Sequence, residues 1–234
     1  MTSISLDSAD LAGVDVDAIV IGVSPGGSGA APAAGTDALD RALDGRLADA
    51  LTALGATGKV TKLPSLGAVA AKVIVAAGLG EDPTAEDLRR AAGAAVRSLA
   101  GSARVAVALP AESAEAVGAA ALGALLGAYS FDSFRTGDGH KSPVEEIVLI
   151  GPASEEAAVE RARTLAASVA LVRDLVNTPP SHLSPEDLAG EAERVAADTG
   201  LAIEVLDEKA LVEGGYGGIA GVGQGSVNPP RLVR

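Results

Sequence analysis

Ile19-Val20-Ile21-Gly22 is a short, wholly apolar run that ends at a glycine. A run without alternating polar residues is typical of a strand that is buried on both faces. Strands of that kind occur in parallel sheets with helices packed on both sides, because neither face of such a sheet meets water. The run therefore predicts an α/β fold, and the chain that follows it repeats the pattern.

Further strands are predicted where apolar runs rich in β-branched residues end at glycine or proline. They lie at residues 60–63, 69–77, 105–109 and 147–150. Helical patterns separate most of them, and strands that alternate with helices indicate βαβ units in a largely parallel sheet. We therefore expect one α/β domain over residues 1–152.

Three helices are predicted within this domain. Leucines at spacings of four and three predict one amphipathic helix over residues 39–54. Thr84 as the N-cap, with Asp87 three residues later, predicts a helix that runs to about Ser98. Residues 113–129 are apolar on almost every side, which indicates a helix buried between layers.

The chain after residue 152 changes character. A long helical pattern over residues 155–176 ends before two prolines, which cannot continue a helix. Its apolar stripe is formed by Leu165, Val169, Val172 and Val176. Ser184-Pro185 then predicts a new helix start, and residues 203–206 predict a short strand. We therefore expect a linker helix at 153–180 and the opening elements of a second domain at 181–234.

The composition excludes several classes of function. Lys and Arg number 18 against 31 Asp and Glu, and the net charge of -13 makes nucleic acid and acidic membrane surfaces poor partners. The chain has no cysteine, so it can form neither a disulfide nor a thiolate metal site. We expect a soluble, cytoplasmic protein, because neither a signal sequence nor a membrane-spanning run is recognisable.

One motif points to catalysis but fails on its own chemistry. Gly22-Val-Ser24-Pro-Gly26 matches the G-x-S-x-G pattern of a nucleophile elbow. In that motif the residue after the serine donates its backbone N–H to the oxyanion, and Pro25 has no N–H. A serine hydrolase is therefore disfavoured.

Other candidate residues give no site. Residues 22–35 are interpreted as a glycine-rich surface loop, because they match neither common phosphate-binding pattern. His140 and His182 lack the spacing of metal ligands and are expected to be solvated. The pairs Glu145-Glu146 and Glu155-Glu156 are also expected to be solvated. The residues themselves thus predict a fold without an active site.

Several ordered blocks resemble the leucyl (cytosol) aminopeptidases, the M17 metallopeptidase family. The stronger blocks are Asp174-Leu-Val-Asn-Thr-Pro-Pro180, His182-Leu-Ser-Pro-Glu-Asp-Leu-Ala189, Glu204-Val-Leu-Asp-Glu-Lys209 and residues 217–232. The weaker ones are Val73-Ile-Val-Ala-Ala-Gly-Leu-Gly80 and residues 123–135. The resemblance implies a macro-domain-like N-terminal domain with a mixed, largely parallel sheet, a long linker helix, and the start of a catalytic domain.

The resemblance also implies a function for a longer parent protein. Such a parent removes N-terminal residues, leucine preferred, from peptides as a homo-hexamer that uses two divalent ions, Mn²⁺, Zn²⁺ or Mg²⁺. Because no counterpart of the family's ligand motifs is recognisable here, no residue of this chain is assigned a catalytic, cofactor-binding or metal-binding role. We expect the metal site to lie beyond Arg234, and the role of these residues to be assembly and the shaping of access to the active site.

Two alternatives stay open at this point. The chain could be a stand-alone module that binds a nucleotide or ADP-ribose through the loop after Ile21, as macro domains do. Binding to DNA, which some members of the family combine with peptidase activity, is the other. The net charge of -13 and the lack of a basic cluster argue against DNA.

Overall fold

The structure is a computed structural model that describes residues 2–27, 29–58, 60–137 and 139–234. It divides into two compact units, Met1–Ala170 and Leu171–Arg234, which we call unit 1 and unit 2. None of the helices in the described ranges combines the length and the hydropathy that crossing a bilayer requires.

Unit 1 alternates strands and helices. Its strands are β1 (Ser3–Asp7), β2 (Ala18–Gly26), β3 (Gly29–Pro32), β4 (Val60–Pro64), β5 (Val73–Gly78), β6 (Arg104–Ala108) and β7 (Glu146–Ile150). Its helices are α1 (Asp37–Ala42), α2 (Leu47–Ala53), α3 (Ala85–Ser98) and α4 (Ala114–Gly127). Helix α5 (Glu156–Asn177) begins in unit 1 and ends in unit 2.

The described strands of unit 1 form one sheet in the order β1-β7-β6-β2-β5-β4, and β3 pairs with the end of β2. The pairs β1–β7, β7–β6, β6–β2 and β2–β5 are parallel, whereas β4 and β3 are antiparallel to their neighbours. The prediction of a mixed, largely parallel sheet flanked by helices is therefore confirmed. Strand β1, which was not predicted from the sequence, lies at one edge of the sheet.

Both faces of the central strand β2 are buried, as its sequence predicts. Ile19 and Ile21 belong to the apolar cluster that includes the leucines of α1 and α2. Val20 belongs to the opposite cluster, to which α3, α4 and Val159 of α5 contribute. The side chains of Ile19, Val20 and Ile21 are all fully buried. The unbroken apolar run thus follows directly from a strand covered on two sides.

Helices α3 and α4 pack closely because glycines face one another between them. A Cβ atom added to Gly123 would lie 2.0 Å from the carbonyl oxygen of Arg89, and one added to Gly127 would lie 2.3 Å from that of Gly93. Helix α4 buries one face completely, and its remaining residues are mostly half-buried. The prediction that α4 is enclosed between layers is therefore only partly correct.

Two predicted elements in unit 1 have different boundaries. The single helix expected over residues 39–54 is two short helices, because Asp44 and Gly45 have positive φ angles of 56° and 71°. The strand expected from residue 69 begins at Val73, because residues 65–72 form the turn between the antiparallel strands β4 and β5. Leu66, with a φ of 52°, lies in that turn.

Unit 2 is described throughout and consists mainly of helices. After α5 it contains α6 (Pro185–Thr199), β8 (Val205–Leu206), α7 (Glu208–Glu213), α8 (Gly217–Gly223) and β9 (Leu232–Val233). Strands β8 and β9 form an antiparallel pair. Helix α8 was not predicted from the sequence, because glycine has low helix propensity.

Candidate functional site

The carboxyl ends of β2 and β6 form the position in unit 1 where an open parallel sheet most often binds a ligand. In an open parallel sheet a ligand binds where the strand order reverses, and the chain leaves β2 for β5 on one side and later adds β6 on the other. A Cβ atom added to Gly22 here would meet side-chain atoms of Leu79, Ala33 and Pro110 within 2.5–3.2 Å. Apolar side chains therefore fill this position.

The chain after Ile21 forms a hairpin rather than the predicted loop over residues 22–35. Strand β2 continues to Gly26 and pairs with β3, with Ser24 opposite Ala31. Ser24 thus lies within a strand, whereas a nucleophile elbow is a strand-to-helix turn. Part of the predicted loop, Ser28, lies outside the described residues. Nothing specific in this hairpin favours the ADP-ribose alternative, which stays a prediction.

Four polar side chains between α4 and β7 form the His140 cluster: Ser130, Asp132, Arg135 and His140. Asp132 Oδ1 lies 2.8 Å from His140 Nε2, and Arg135 Nη1 lies 3.0 Å from His140 Nδ1. Ser130 Oγ donates a hydrogen bond of 2.5 Å to Asp132 Oδ2. This bond, together with His140 and Arg135, lowers the pKa of Asp132. Sequence reasoning missed the cluster because it judged His140 only by metal-ligand spacing.

The His140 cluster has the residue types of a catalytic triad but not its proton arrangement. A guanidinium group can only donate, so His140 Nδ1 accepts from Arg135 and, in the neutral ring, the proton is on Nε2. That nitrogen faces Asp132 and cannot take a proton from Ser130, as the base of a triad must. Ser130 itself donates to the carboxylate. We interpret the cluster as structural.

The other candidate residues have ordinary local partners. Ser181 Oγ lies 2.9 Å from His182 Nδ1. Glu146 pairs with Arg104 and Glu156 pairs with Arg163, at 3.1 and 3.2 Å, so these two carboxylates are bridged at the surface. In the ranges that the structure describes, no group of three or more His, Asp or Glu side chains could hold a metal ion. The residues present therefore do not fit a dinuclear metal site.

Two arginines fix the last segment of unit 2. Arg231 Nη1 donates to Glu208 Oε2 at 2.7 Å, and its side chain is only 15% exposed. Arg234 Nε donates to Glu204 Oε2 at 2.6 Å, and its Nη1 donates to the hydroxyl of Tyr216 at 3.3 Å. The hydrogen bond from Arg234 Nε, together with the positive charge of that side chain, lowers the pKa of Glu204. These contacts hold strand β9 beside β8 and α7.

A groove of about 510 Å³, which we call the α7–α8 groove, lies on unit 2. Its lining consists of Glu208, Lys209, Val212, Glu213, Ala220, Gly223, Gln224, Ser226, Pro229 and Pro230. Val212 contributes apolar surface that is 67% exposed. A groove of this size accommodates several side chains, so it is a candidate binding feature of unit 2.

Unit 2 buries very little of its apolar surface. Its only buried hydrophobic residues are Ala189, Ala196 and Leu211. Its exposed large hydrophobic residues are Val172, Val176, Leu188, Leu201, Val212, Val222, Val227 and Val233. Unit 2 thus exposes more large hydrophobic residues than it buries.

Family comparisons match both parts of the chain. Residues 20–138 match the model of the cytosol aminopeptidase family, N-terminal domain. Residues 170–234 match the model of the cytosol aminopeptidase family, catalytic domain.

Curated relatives are similar over the whole chain. A probable cytosol aminopeptidase of Streptomyces coelicolor is 46% identical over 263 aligned residues, covering 100% of this chain and 51% of the relative. One from Rhodococcus jostii is 41% identical and covers 97% of this chain and 47% of the relative. The chain thus spans about half the length of the curated relatives it matches.

Solved structures also match nearly the whole chain and about half of their own length. The bottromycin maturation enzyme BotP is 31% identical to this chain, with a TM-score of 0.71. The match covers 93% of this chain and 45% of the BotP chain. BotP in complex with Mn also has a TM-score of 0.71. A tomato leucine aminopeptidase mutant matches with a TM-score of 0.79 at 24% identity, over 100% of this chain and 50% of the tomato chain. This likeness shows that the two chains share a fold.

Proposed function

Because the chain belongs to the cytosol aminopeptidase family, we propose that it is the N-terminal, non-catalytic portion of a leucyl aminopeptidase. The parent enzyme releases N-terminal residues, preferably leucine, from peptides in the cytoplasm. Unit 1 contributes to assembly of a homo-hexamer and shapes access to the active sites. The observation that carries the proposal is that both family models match in order while the chain spans about half of its relatives.

The parent enzyme uses two divalent metal ions, which polarise the peptide carbonyl and activate a water molecule. A BotP structure in complex with Mn supports a divalent metal for the family. The described residues of this chain do not fit such a site. We therefore assign the metal ligands to polypeptide outside these 234 residues, and no step of hydrolysis to the side chains described above.

Peptidase activity tests this division of roles. The 234-residue chain and the full-length Streptomyces coelicolor relative are assayed side by side for leucine p-nitroanilide hydrolysis with added Mn²⁺. We expect turnover from the relative and none above background from the chain. Each assay is repeated with EDTA, because only metal-dependent turnover counts. Hydrolysis by the short chain that EDTA abolishes would overturn the proposal.

A further inference from the structure

We propose that the α7–α8 groove is the surface on which the second half of the catalytic domain docks, through an apolar segment of that half. This inference rests on the proposed function, because it takes the occupant to be the polypeptide that the longer relatives possess. It specifies which face of unit 2 that polypeptide covers.

The lining of the groove combines apolar and charged residues. Val212, Ala220 and the ring carbons of Pro229 and Pro230 offer apolar surface, while Glu208, Lys209 and Glu213 lie along α7. Val222, one residue before Gly223 of the lining, is 90% exposed. Protein interfaces usually combine apolar surface with polar and charged residues.

The walls of the groove are held in place by contacts within unit 2. Asp207 Oδ1 accepts a hydrogen bond from the backbone N–H of Ala210 and so caps α7. Arg231 joins its segment to Glu208 on the same helix. Gly223 lies so close to Pro230 that an added Cβ would meet its ring at 2.6 Å. A preformed groove loses little conformational entropy when an occupant binds.

The glycines of α8 provide a second, independent observation. Cβ atoms added to Gly217, Gly218 and Gly221 would meet nothing within 4 Å, and none of these residues has a positive φ angle. Each glycine in a helix costs about 1 kcal/mol relative to alanine. Neither the backbone of α8 nor its packing within unit 2 requires them. A neighbour that approaches the α8 backbone closely would require them.

The occupant that fits best is the catalytic domain's second half rather than a second copy of this chain. The catalytic-domain model matches residues 170–234, and the relatives are about twice as long as the chain. Unit 2 also has only three buried hydrophobic residues and so needs further polypeptide to complete a core.

The test compares substitutions in this chain and at the aligned positions of the full-length Streptomyces coelicolor relative. Val212→Asp in the groove lining and Gly221→Leu on α8, next to the lining residue Ala220, should each leave the melting temperature of this chain within about 1 °C, because both positions are open to solvent. In the relative, each substitution should lower the melting temperature by about 5 °C or more, because leucine would overpack the interface and aspartate would bury a charge. Leu201→Asp is the matched control, because Leu201 is 65% exposed but lies outside the groove. It should be tolerated in both proteins.

Hydrogen exchange keeps the test independent of whether the variants fold. Amides aligned with residues 208–230 should exchange at least about 100-fold more slowly in the unmodified relative than in this chain. Equal exchange in both proteins, or tolerance of Val212→Asp in the relative, would overturn the inference. Protection in this chain that rises with its concentration would assign the groove to a second copy. An active relative with an unprotected groove overturns the docking alone, whereas an inactive relative with a protected groove overturns the proposed function alone.

Discussion

Helices α3 of unit 1 and α6 of unit 2 begin in the same way but are buried very differently. Thr84 with Asp87, and Ser184 with Asp187, form complete capping boxes at their N-termini. Helix α3 buries Leu88, Val96 and three alanines, whereas α6 buries only two alanines. Local signals therefore specify where both helices start, but they do not determine how much core each one contributes.

The difference extends to the units as wholes. In the described part of unit 1, a central strand is covered on both faces, and the packed helices α3 and α4 complete one of the two clusters. Unit 2 has well-formed caps, turns and ion pairs around three buried hydrophobic residues. Burial of apolar surface provides most of the stabilisation of a fold, so we expect unit 1 to be stable and unit 2 to depend on further polypeptide.

The largest effect should come from the glycine contact that holds the unit 1 core together. Gly123→Ala places a methyl group against the backbone of Arg89 and forces α3 and α4 apart. We expect a loss of about 3 kcal/mol or more in the free energy of unfolding, measured in urea. Gly118→Ala on the same helix is the control, since its Cβ would lie 3.7 Å from Ala158. It should be neutral or slightly stabilising. Equal effects of the two substitutions would mean that the helix contact does not stabilise unit 1.

The sequence predicted most of unit 1 because its signals are local. Buried runs, glycines and caps indicated β2, β5, β6, β7 and α3. It missed β1, although Ser3-Ile-Ser-Leu-Asp7 alternates polar and apolar residues. It also missed the hairpin of β2 with β3, because alanine and glycine carry little periodic pattern. It also missed the break at Asp44, because the leucine spacing continues through it, although Asp44-Gly45 is a common turn dipeptide.

The candidate site was less predictable, for a different physical reason. The His140 cluster joins residues up to ten apart in a segment without regular periodicity, so no spacing rule indicates it. The α7–α8 groove depends on a glycine-rich helix that propensity disfavours. Its lining also includes residues from three separate segments of unit 2.

A smaller, local effect is expected from the ion pair that fixes the end of unit 2. Arg231→Ala leaves Glu208 without its partner and should loosen β9 by about 1–2 kcal/mol of local stability. The global unfolding transition, which unit 1 dominates, should stay unchanged. Arg194→Ala is the matched control, because Arg194 bridges only residues of its own helix and is half-exposed. NMR amide exchange at Leu232 and Val233 measures the difference. A shift of the global transition by Arg231→Ala would show that unit 2 contributes to the main core.

The smallest effect should appear on acidification of the two capping boxes. Hydrogen bonds from Thr84 and Ser184 lower the pKa of Asp87 and Asp187 below the ordinary value of 3.8. Each cap therefore stabilises its helix above pH 3.8, and this contribution is lost as the pH falls through the lowered pKa. Because α3 buries five hydrophobic residues and α6 only two, only α6 should fray as the pH falls below 3.8.

Backbone ¹³Cα chemical shifts of the first turns measure this fraying. Asp187→Asn should remove the pH dependence in α6, and Asp87→Asn should leave the α3 shifts nearly constant. If both helices fray alike, packing does not protect the cap of α3.

Native-state hydrogen exchange of the monomeric 234-residue chain tests the central claim most directly. We predict that amides of β2, β5 and β6 exchange only through global unfolding, and that amides of α6, α7 and α8 exchange at least about 100-fold faster after correction for intrinsic rates. Protection of α6–α8 equal to that of the central strands, in a sample shown to be monomeric, would contradict the account.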